Sequence, residues 1–246
     1  MHRFFTNYLD KETKCFIITG PDVNHIKNVL RMKEKDKIEV VSDKKTYICS
    51  IEAIESNKVE AKIIYKKEKT SESNIKIHLF QSLPKSSKME TILQKNTELG
   101  VYSFFPILSD RSIVKLDDKK EEKKLQRWMS IVEEAAKQSK RDIIPQVHKV
   151  MSFKEGLKVL ENKLILVPYE LEENLGIKDV LKSLPNVEDI YVFIGPEGGF
   201  EEGEIKSLVE VGAKIVSLGP RILRTETAGF ITSSLIQYEL GDIGVI

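Results

Sequence analysis

The chain has 246 residues, 41% apolar and 31% charged, with 39 Lys+Arg against 38 Asp+Glu and a formal net charge of +1. That length can bury a sizeable core in one large domain or two modest ones, and no run approaches the ~20 apolar residues of a membrane span. Cys15 and Cys49 stand far apart and the histidines, His2, His25, His78 and His148, are scattered, so neither a metal site nor a disulfide framework is expected. The start, Met1-His-Arg-Phe-Phe-Thr-Asn7, lacks the apolar core of a signal peptide; the expectation is a cytoplasmic protein without a membrane partner.

The even balance of charge hides an asymmetry. Residues 1–73 carry 15 basic against 12 acidic side chains, residues 74–150 carry 15 against 10, and residues 151–246 carry 9 against 16. A basic front suits contact with a polyanion, and it suits solvated helix faces such as Lys119-Lys-Glu-Glu-Lys-Lys124 equally well.

In chain order, the first ~70 residues predict short strands with turns: Phe16–Ile18, Lys37–Val41, Thr46–Ile51 and Val59–Ile64. One short helix interrupts them, opened by Pro21-Asp22 and continued by Ile26, Val29 and Leu30 at helical spacing. This reads as a small β-barrel with one helix. The polar, unpatterned stretch Lys66–Asn74 places a domain boundary between residues 73 and 74, giving domains 1–73 and 74–246.

From Ile75 onward strand and helix alternate. Strands are predicted over Ile75–Leu83, Val101–Leu108, near Val147, and over Lys163–Val167, Ile190–Ile194 and Lys214–Leu218. Helices are predicted over Ser86–Leu99, Glu122–Lys140, from Ser152, after Ile177, and over Glu201–Val209 and Thr225–Leu240. The alternation implies an α/β domain with a mostly parallel sheet and helices on both faces.

Two strand-turn-helix units near the C-terminus carry glycine at their turns. Gly195-Pro-Glu-Gly-Gly199 follows one strand; Leu218-Gly-Pro-Arg-Ile-Leu-Arg-Thr-Glu-Thr-Ala228 follows the other. Loops at the carboxyl ends of neighbouring parallel strands are where open α/β sheets bind ligands, and glycine lets the backbone approach a ligand closely. Neither loop has the order of a dinucleotide fingerprint or a phosphate loop, and each alone reads more readily as a tight turn than as a ligand site. The second loop adds Arg221, Arg224, Thr225, Glu226 and Thr227, a concentration of polar groups that is costly to bury without a partner. An exposed helix entrance with Thr225 as N-cap is the alternative.

Together these two motifs closely resemble the paired signature of the bacterial uridine-N3 methyltransferases of small-subunit (16S) ribosomal RNA, in the SPOUT class. His25–Met32, Lys88-Met-Glu90, Gln94-Lys95, Glu98–Val101 and Gln138-Ser139 with Arg141 match further family blocks, so the resemblance covers essentially the whole chain; Lys137 departs from the pattern. The resemblance implies a C-terminal trefoil knot that binds S-adenosylmethionine, an N-terminal PUA-like RNA-binding barrel, a homodimer, and 16S rRNA or the small ribosomal subunit as partner.

Carried onto this sequence, it implies cofactor contacts by Val167, Pro168, Ile194, Gly195, Pro196, Gly198, Gly199, Leu218, Gly219, Leu223, Arg224 and Thr227. RNA contacts are expected from Arg3, His25, Arg31, Lys85, Arg111 and Arg141, with His25 equally readable as a core or capping histidine. Methylation at uracil N3 needs loss of a proton and stabilisation of the resulting charge. Arg224 is the expected donor and Glu226 the expected base, with Glu197 as a second candidate; either carboxylate could instead cap a helix. A methyltransferase acting on another RNA nucleotide, and a non-catalytic ribosome assembly factor, are the alternative functions.

Overall fold

The computed structural model describes residues 1–85, 88–112, 118–184 and 187–245. They fall into two compact units, Met1–Glu72 with Ala136–Ile144, and Ser73–Ala135 with Pro145–Ile246.

The first unit is a six-stranded sheet. Its strands β1 (Arg3–Phe5), β2 (Leu9–Asp10), β3 (Cys15–Thr19), β4 (Lys37–Ser42), β5 (Lys45–Ile54) and β6 (Lys58–Lys66) lie in the order β1-β4-β5-β6-β3-β2. β1 and β2 form opposite edges yet are separated only by residues 6–8, so the sheet must curl until its edges meet, with the Thr6 hydroxyl donating to the Ile17 carbonyl across the seam. The curl encloses Phe4, Phe16, Ile18, Ile38, Val40, Cys49, Ile51, Val59 and Ala61. Val23 and Ile26 plug this core from α1 (Pro21–Asn24) and the wider helical turn His25–Val29 that continues it. Gly20, at φ +70°, makes the bend before Pro21, which enters the first helical turn where its missing N–H costs nothing.

Two residues expected to contact RNA are buried instead. Arg3 and Arg141 are each 4% exposed. Arg3 pairs with Glu39 at 3.0 Å and Asp142 at 2.9 Å and donates to the Lys140 and Arg141 carbonyls; Arg141 pairs with Glu72 at 2.6 Å. A buried guanidinium needs all of these partners, which leaves neither side chain free for phosphate. Asp142 accepts from Arg3, Thr46, Thr70 and the Ser71 N–H. Residues 136–144 thus belong with the first unit, although a boundary at 73/74 puts them in the second. His25 is half-buried, edge-on to Phe4, and Arg31 is exposed.

The second unit is built on β7 (Lys76–Ser82), β8 (Val101–Leu108), β9 (Gln146–Val147), β10 (Met151–Ser152), β11 (Ile165–Pro168), β12 (Asp189–Ile194) and β13 (Lys214–Val216). The order is β10-β8-β7-β12-β11-β13, with β9 also on β8, and every pairing is parallel. Alternation along the strands divides their side chains between two cores. Leu79, Leu166 and Val192 face one side with residues of α2 (Lys88–Glu98), α3 (Asp118–Gln138), α5 (Ile177–Lys182) and α7 (Thr225–Glu239). Phe80, Val167 and Phe193 face the other with α4 (Phe153–Leu160) and α6 (Glu202–Glu210). The predicted start of α2 at Ser86 lies outside the described residues. β1, β2 and β10 were not anticipated, being two or three residues long and too short for a period to show.

The buried ionic cluster makes the first unit sensitive to acid. Burial alone would push the Glu39 carboxyl up, but the Lys67 hydrogen bond and then the charge and hydrogen bond of Arg3 outweigh it and hold Glu39 at about 2. Asp142 is likewise held below its ordinary value: burial opposes, and hydrogen bonds from Thr46, Ser71 and Thr70 prevail. Carboxyls depressed in the folded state contribute stability that is present above their unfolded values near 4 and is lost as pH falls. Denaturant midpoints should therefore fall between about pH 5 and pH 2, and Glu39→Gln should flatten that decline while lowering stability at pH 7.

Candidate ligand-binding site

Because the second sheet is wholly parallel, the carboxyl ends of β11, β12 and β13 lie along one edge in the order β12-β11-β13. Their following loops, residues 169–175, 195–201 and 217–224, meet there around a cavity of about 860 Å³. Its lining includes Pro168, Ile194, Gly195, Pro196, Gly199, Leu218, Gly219, Leu223 and Arg224, nine of the residues that the resemblance assigns to the cofactor, together with Lys88, Tyr169, Glu170, Phe200 and Arg221. Such a volume suits a drug-sized ligand.

The glycines are there for backbone shape and close packing. Gly199 has φ +70° and Gly219 φ +107°, conformations costly for any side chain. A Cβ at Gly195 would lie 3.1 Å from the Phe200 ring, which folds back under the loop, and one at Gly199 would collide with Glu170 Oε1. Behind the loop, Glu204 is 3% exposed and accepts from the N–H groups of Asp110 and Glu201. It forms a capping box with Glu201 that fixes the first turn of α6.

One hydroxyl joins the two glycine loops. Thr225 Oγ1 donates to the Gly195 carbonyl at 2.6 Å and accepts from Gln81 Nε2 at 2.9 Å. Gln81 is fully buried on β7, so the start of α7 and the end of β12 are both referred to the sheet. A second tie is ionic. Lys88, the first residue of α2, lies 3.2 Å from Glu197 and 3.3 Å from Glu226 Oε2. Burial would raise the Glu197 carboxyl, but backbone N–H groups and the Lys88 ammonium hold it below its ordinary value; the Lys88 ammonium is in turn held above its own, chiefly by Glu197.

Glu226 does not line the cavity. Its Oε2 is buried, close enough to Lys88 to pair but without an aligned hydrogen bond among the described residues. It therefore stands behind Lys88, and the sequence reading of it as a base in contact with substrate is not matched by its position. Val167 is fully buried in the core, one strand position short of the cavity edge. Gly198 packs on Arg111, whose Nη1 donates to the Gly198 carbonyl at 2.6 Å and whose Nε donates to Glu201. Thr227 also lies outside the lining. Arg221 and Arg224 are exposed, and among the described residues neither side chain forms a hydrogen bond or ion pair. The sequence offered a hint of Lys88 in the Lys88-Met-Glu90 block; nothing in it pointed to Tyr169 or Glu170.

The comparisons with known proteins fit this arrangement. A family described as an RNA methyltransferase domain matches residues 71–237, and one described as an RNA methyltransferase PUA domain matches residues 18–64. Ribosomal RNA small subunit methyltransferase E of Bacillus subtilis is 40% identical over 248 residues, 97% of each chain. The chain belongs to that methyltransferase family. The homologue of Mesomycoplasma hyopneumoniae is 35% identical, covering 93% of this chain and 95% of its own. Among solved structures, ribosomal RNA small subunit methyltransferase E of Neisseria gonorrhoeae, bound to S-adenosylmethionine, is 31% identical with a TM-score of 0.86, covering 98% of this chain and 99% of its own. A methyltransferase of Legionella pneumophila, also with the cofactor bound, is 30% identical with the same TM-score and 98% coverage of each chain.

If Thr225 holds the site together, Thr225→Val should leave the Gly195 carbonyl and Gln81 amide short of a partner and lower unfolding free energy by about 1–3 kcal/mol. Thr225→Ser, which keeps the hydroxyl, should lose much less. Paired urea titrations of the two variants check this.

Proposed function

We propose that this protein transfers a methyl group from S-adenosylmethionine to N3 of a uridine in 16S ribosomal RNA, acting on the small ribosomal subunit in the cytoplasm. The cavity at the carboxyl ends of β11, β12 and β13 carries this reading, together with the cofactor-bound relatives of the same fold. The residues present suit that cofactor. Gly195, Pro196, Gly199 and Gly219 bring main-chain groups to the cavity lining. Pro168, Ile194, Leu218 and Leu223 offer apolar walls for a purine, and carboxylates lie near for a cationic ligand.

When bound, the cofactor supplies a methyl group activated by positively charged sulfur. This chain's own residues bind and align it, exclude water, and stabilise charge on the base. Uracil N3 must lose its proton before it can attack, leaving negative charge shared with the ring carbonyl oxygens. Arg224 is assigned to that charge: it is exposed at the cavity, unpaired among the described residues, and always protonated.

The chain leaves β13 at the sheet edge, yet α7 returns to pack on α2, α5, β7 and β12. That return path supports the reading of this region as a trefoil knot. Ile231, Leu235 and Tyr238 form a stripe on α7 and stay 39%, 36% and 67% exposed, which supports a homodimer packed through this helix. The division of labour is read as RNA binding by residues 1–73, with exposed Arg31 and half-buried His25, and methyl transfer by residues 74–246, where exposed Lys85 and Arg111 add basic groups.

Calorimetry should give S-adenosylmethionine binding by the parent protein and none by Gly199→Ala, with the variant still folded. Arg224→Ala should keep the parent's thermal midpoint and cofactor affinity but lose methyl transfer by roughly 100-fold in single-turnover assays; Arg224→Lys should recover only part, since a point charge lacks the fork. Mapping methylated nucleotides in 16S rRNA from cells with and without the protein tests the target, and loss of a signal other than 3-methyluridine would overturn it. Arg31→Ala should weaken RNA binding and make it less salt-dependent, leaving cofactor affinity unchanged.

A further inference from the structure

Four carboxylates line the cavity: Glu170, Glu172, Glu173 and Glu197. They differ in what already occupies them. Glu172 Oε1 accepts from the N–H groups of Asn174 and Leu175 and shapes its own loop. Glu197 accepts from the Lys85 N–H and pairs with Lys88. Glu173 and Glu170 have no hydrogen bond or ion pair among the described residues; Glu170, two residues beyond the end of β11, is the one of the two that lies beside the glycine loop. Its position is nonetheless specific, because Oε1 rests against the Cα of Gly199 in the space a Cβ would take. An unpaired carboxylate thereby lies beside the glycine loop at the cavity.

We infer that Glu170 is the residue by which the site distinguishes the positively charged cofactor from its uncharged thioether product. The inference rests on the reading of the cavity as an S-adenosylmethionine site. Methyl transfer forms an N–C bond to the base and breaks a C–S bond; the bonding pair stays on sulfur, which becomes neutral, while the proton from N3 leaves to solvent. The purine, ribose, α-ammonium and carboxylate of the ligand are unchanged by the reaction. A group that attracts the sulfonium therefore favours substrate over product, and its attraction disappears when the transfer is complete, easing exchange. Glu170 meets the requirement by being anionic and unpaired, and by lying against the backbone that a ligand must approach. Lys88 does not neutralise it, being engaged by Glu197 and Glu226.

The test is calorimetric titration of S-adenosylmethionine and S-adenosylhomocysteine into the parent, Glu170→Gln, and Glu210→Gln as a control for net charge on an exposed helix end. Glu170→Gln should weaken S-adenosylmethionine about threefold or more relative to S-adenosylhomocysteine, an effect sized for a solvent-accessible charge pair. Raising the salt concentration should shrink the parent's preference toward that of the variant, and Glu210→Gln should leave the ratio unchanged. Equal weakening of both ligands would mean that Glu170 contacts a part common to them and would overturn the inference, as would an unchanged ratio. Failure of the parent to bind either ligand would instead overturn the cofactor reading itself.

Discussion

The geometry of the site depends on one hydroxyl. Thr225 Oγ1 is at once donor to the Gly195 carbonyl and acceptor from Gln81 Nε2, and this dual role sets the hydroxyl's direction. Because Gln81 sits on a central strand, the bond refers two loops to the interior of the sheet. Gly195, at the end of β12, and Arg224, beside the threonine at the start of α7, are thus spaced by the sheet. A positively charged side chain with no partner among the described residues needs its backbone fixed in this way if it is to meet a ligand at a defined place.

Around that bond, parallel topology does the gathering. Each strand of the second sheet runs the same way, so the segments that leave β11, β12 and β13 emerge side by side, and glycine allows two of them to turn sharply without side chains filling the space between. Lys88 adds a tie from another direction, with the two carboxylates it joins contributed by the β12 loop and by the first turn of α7. The site is consequently distributed over segments far apart in the chain, each held by a short polar contact to a regular element.

Much of this was legible from residues. The helix of Phe153 was marked by Ser152, which caps it with Glu155, and β12 by its β-branched and aromatic run. The glycine turns located most of the cavity lining. What the sequence could not show was direction. Arg3 and Arg141 read as surface cations because arginine usually is one, and only the acceptors brought from residues 39, 72 and 142 turned them inward. Val167 and Pro168 are neighbours, yet strand alternation sends one into the core and leaves the other at the rim. Glu226 and Glu170 show the same limit: a carboxylate in a loop motif was expected at the site and lies outside the cavity lining, while Glu170, outside any motif, is part of that lining.

The engagement of Arg3 by Asp142 bears on the order in which the chain can fold as it is synthesised. The first six strands are complete once residue 66 has been made, but the acceptors that satisfy the Arg3 guanidinium include the carbonyls of Lys140 and Arg141 and the Asp142 carboxylate. At translation rates of about 5–20 residues per second, those groups follow the last barrel strand by several seconds. During that interval Arg3 has only Glu39 among these partners, and the nascent barrel carries a cation awaiting burial. Completion of the N-terminal unit is therefore coupled to synthesis of the chain past its midpoint, into a segment that follows the other unit's first stretch.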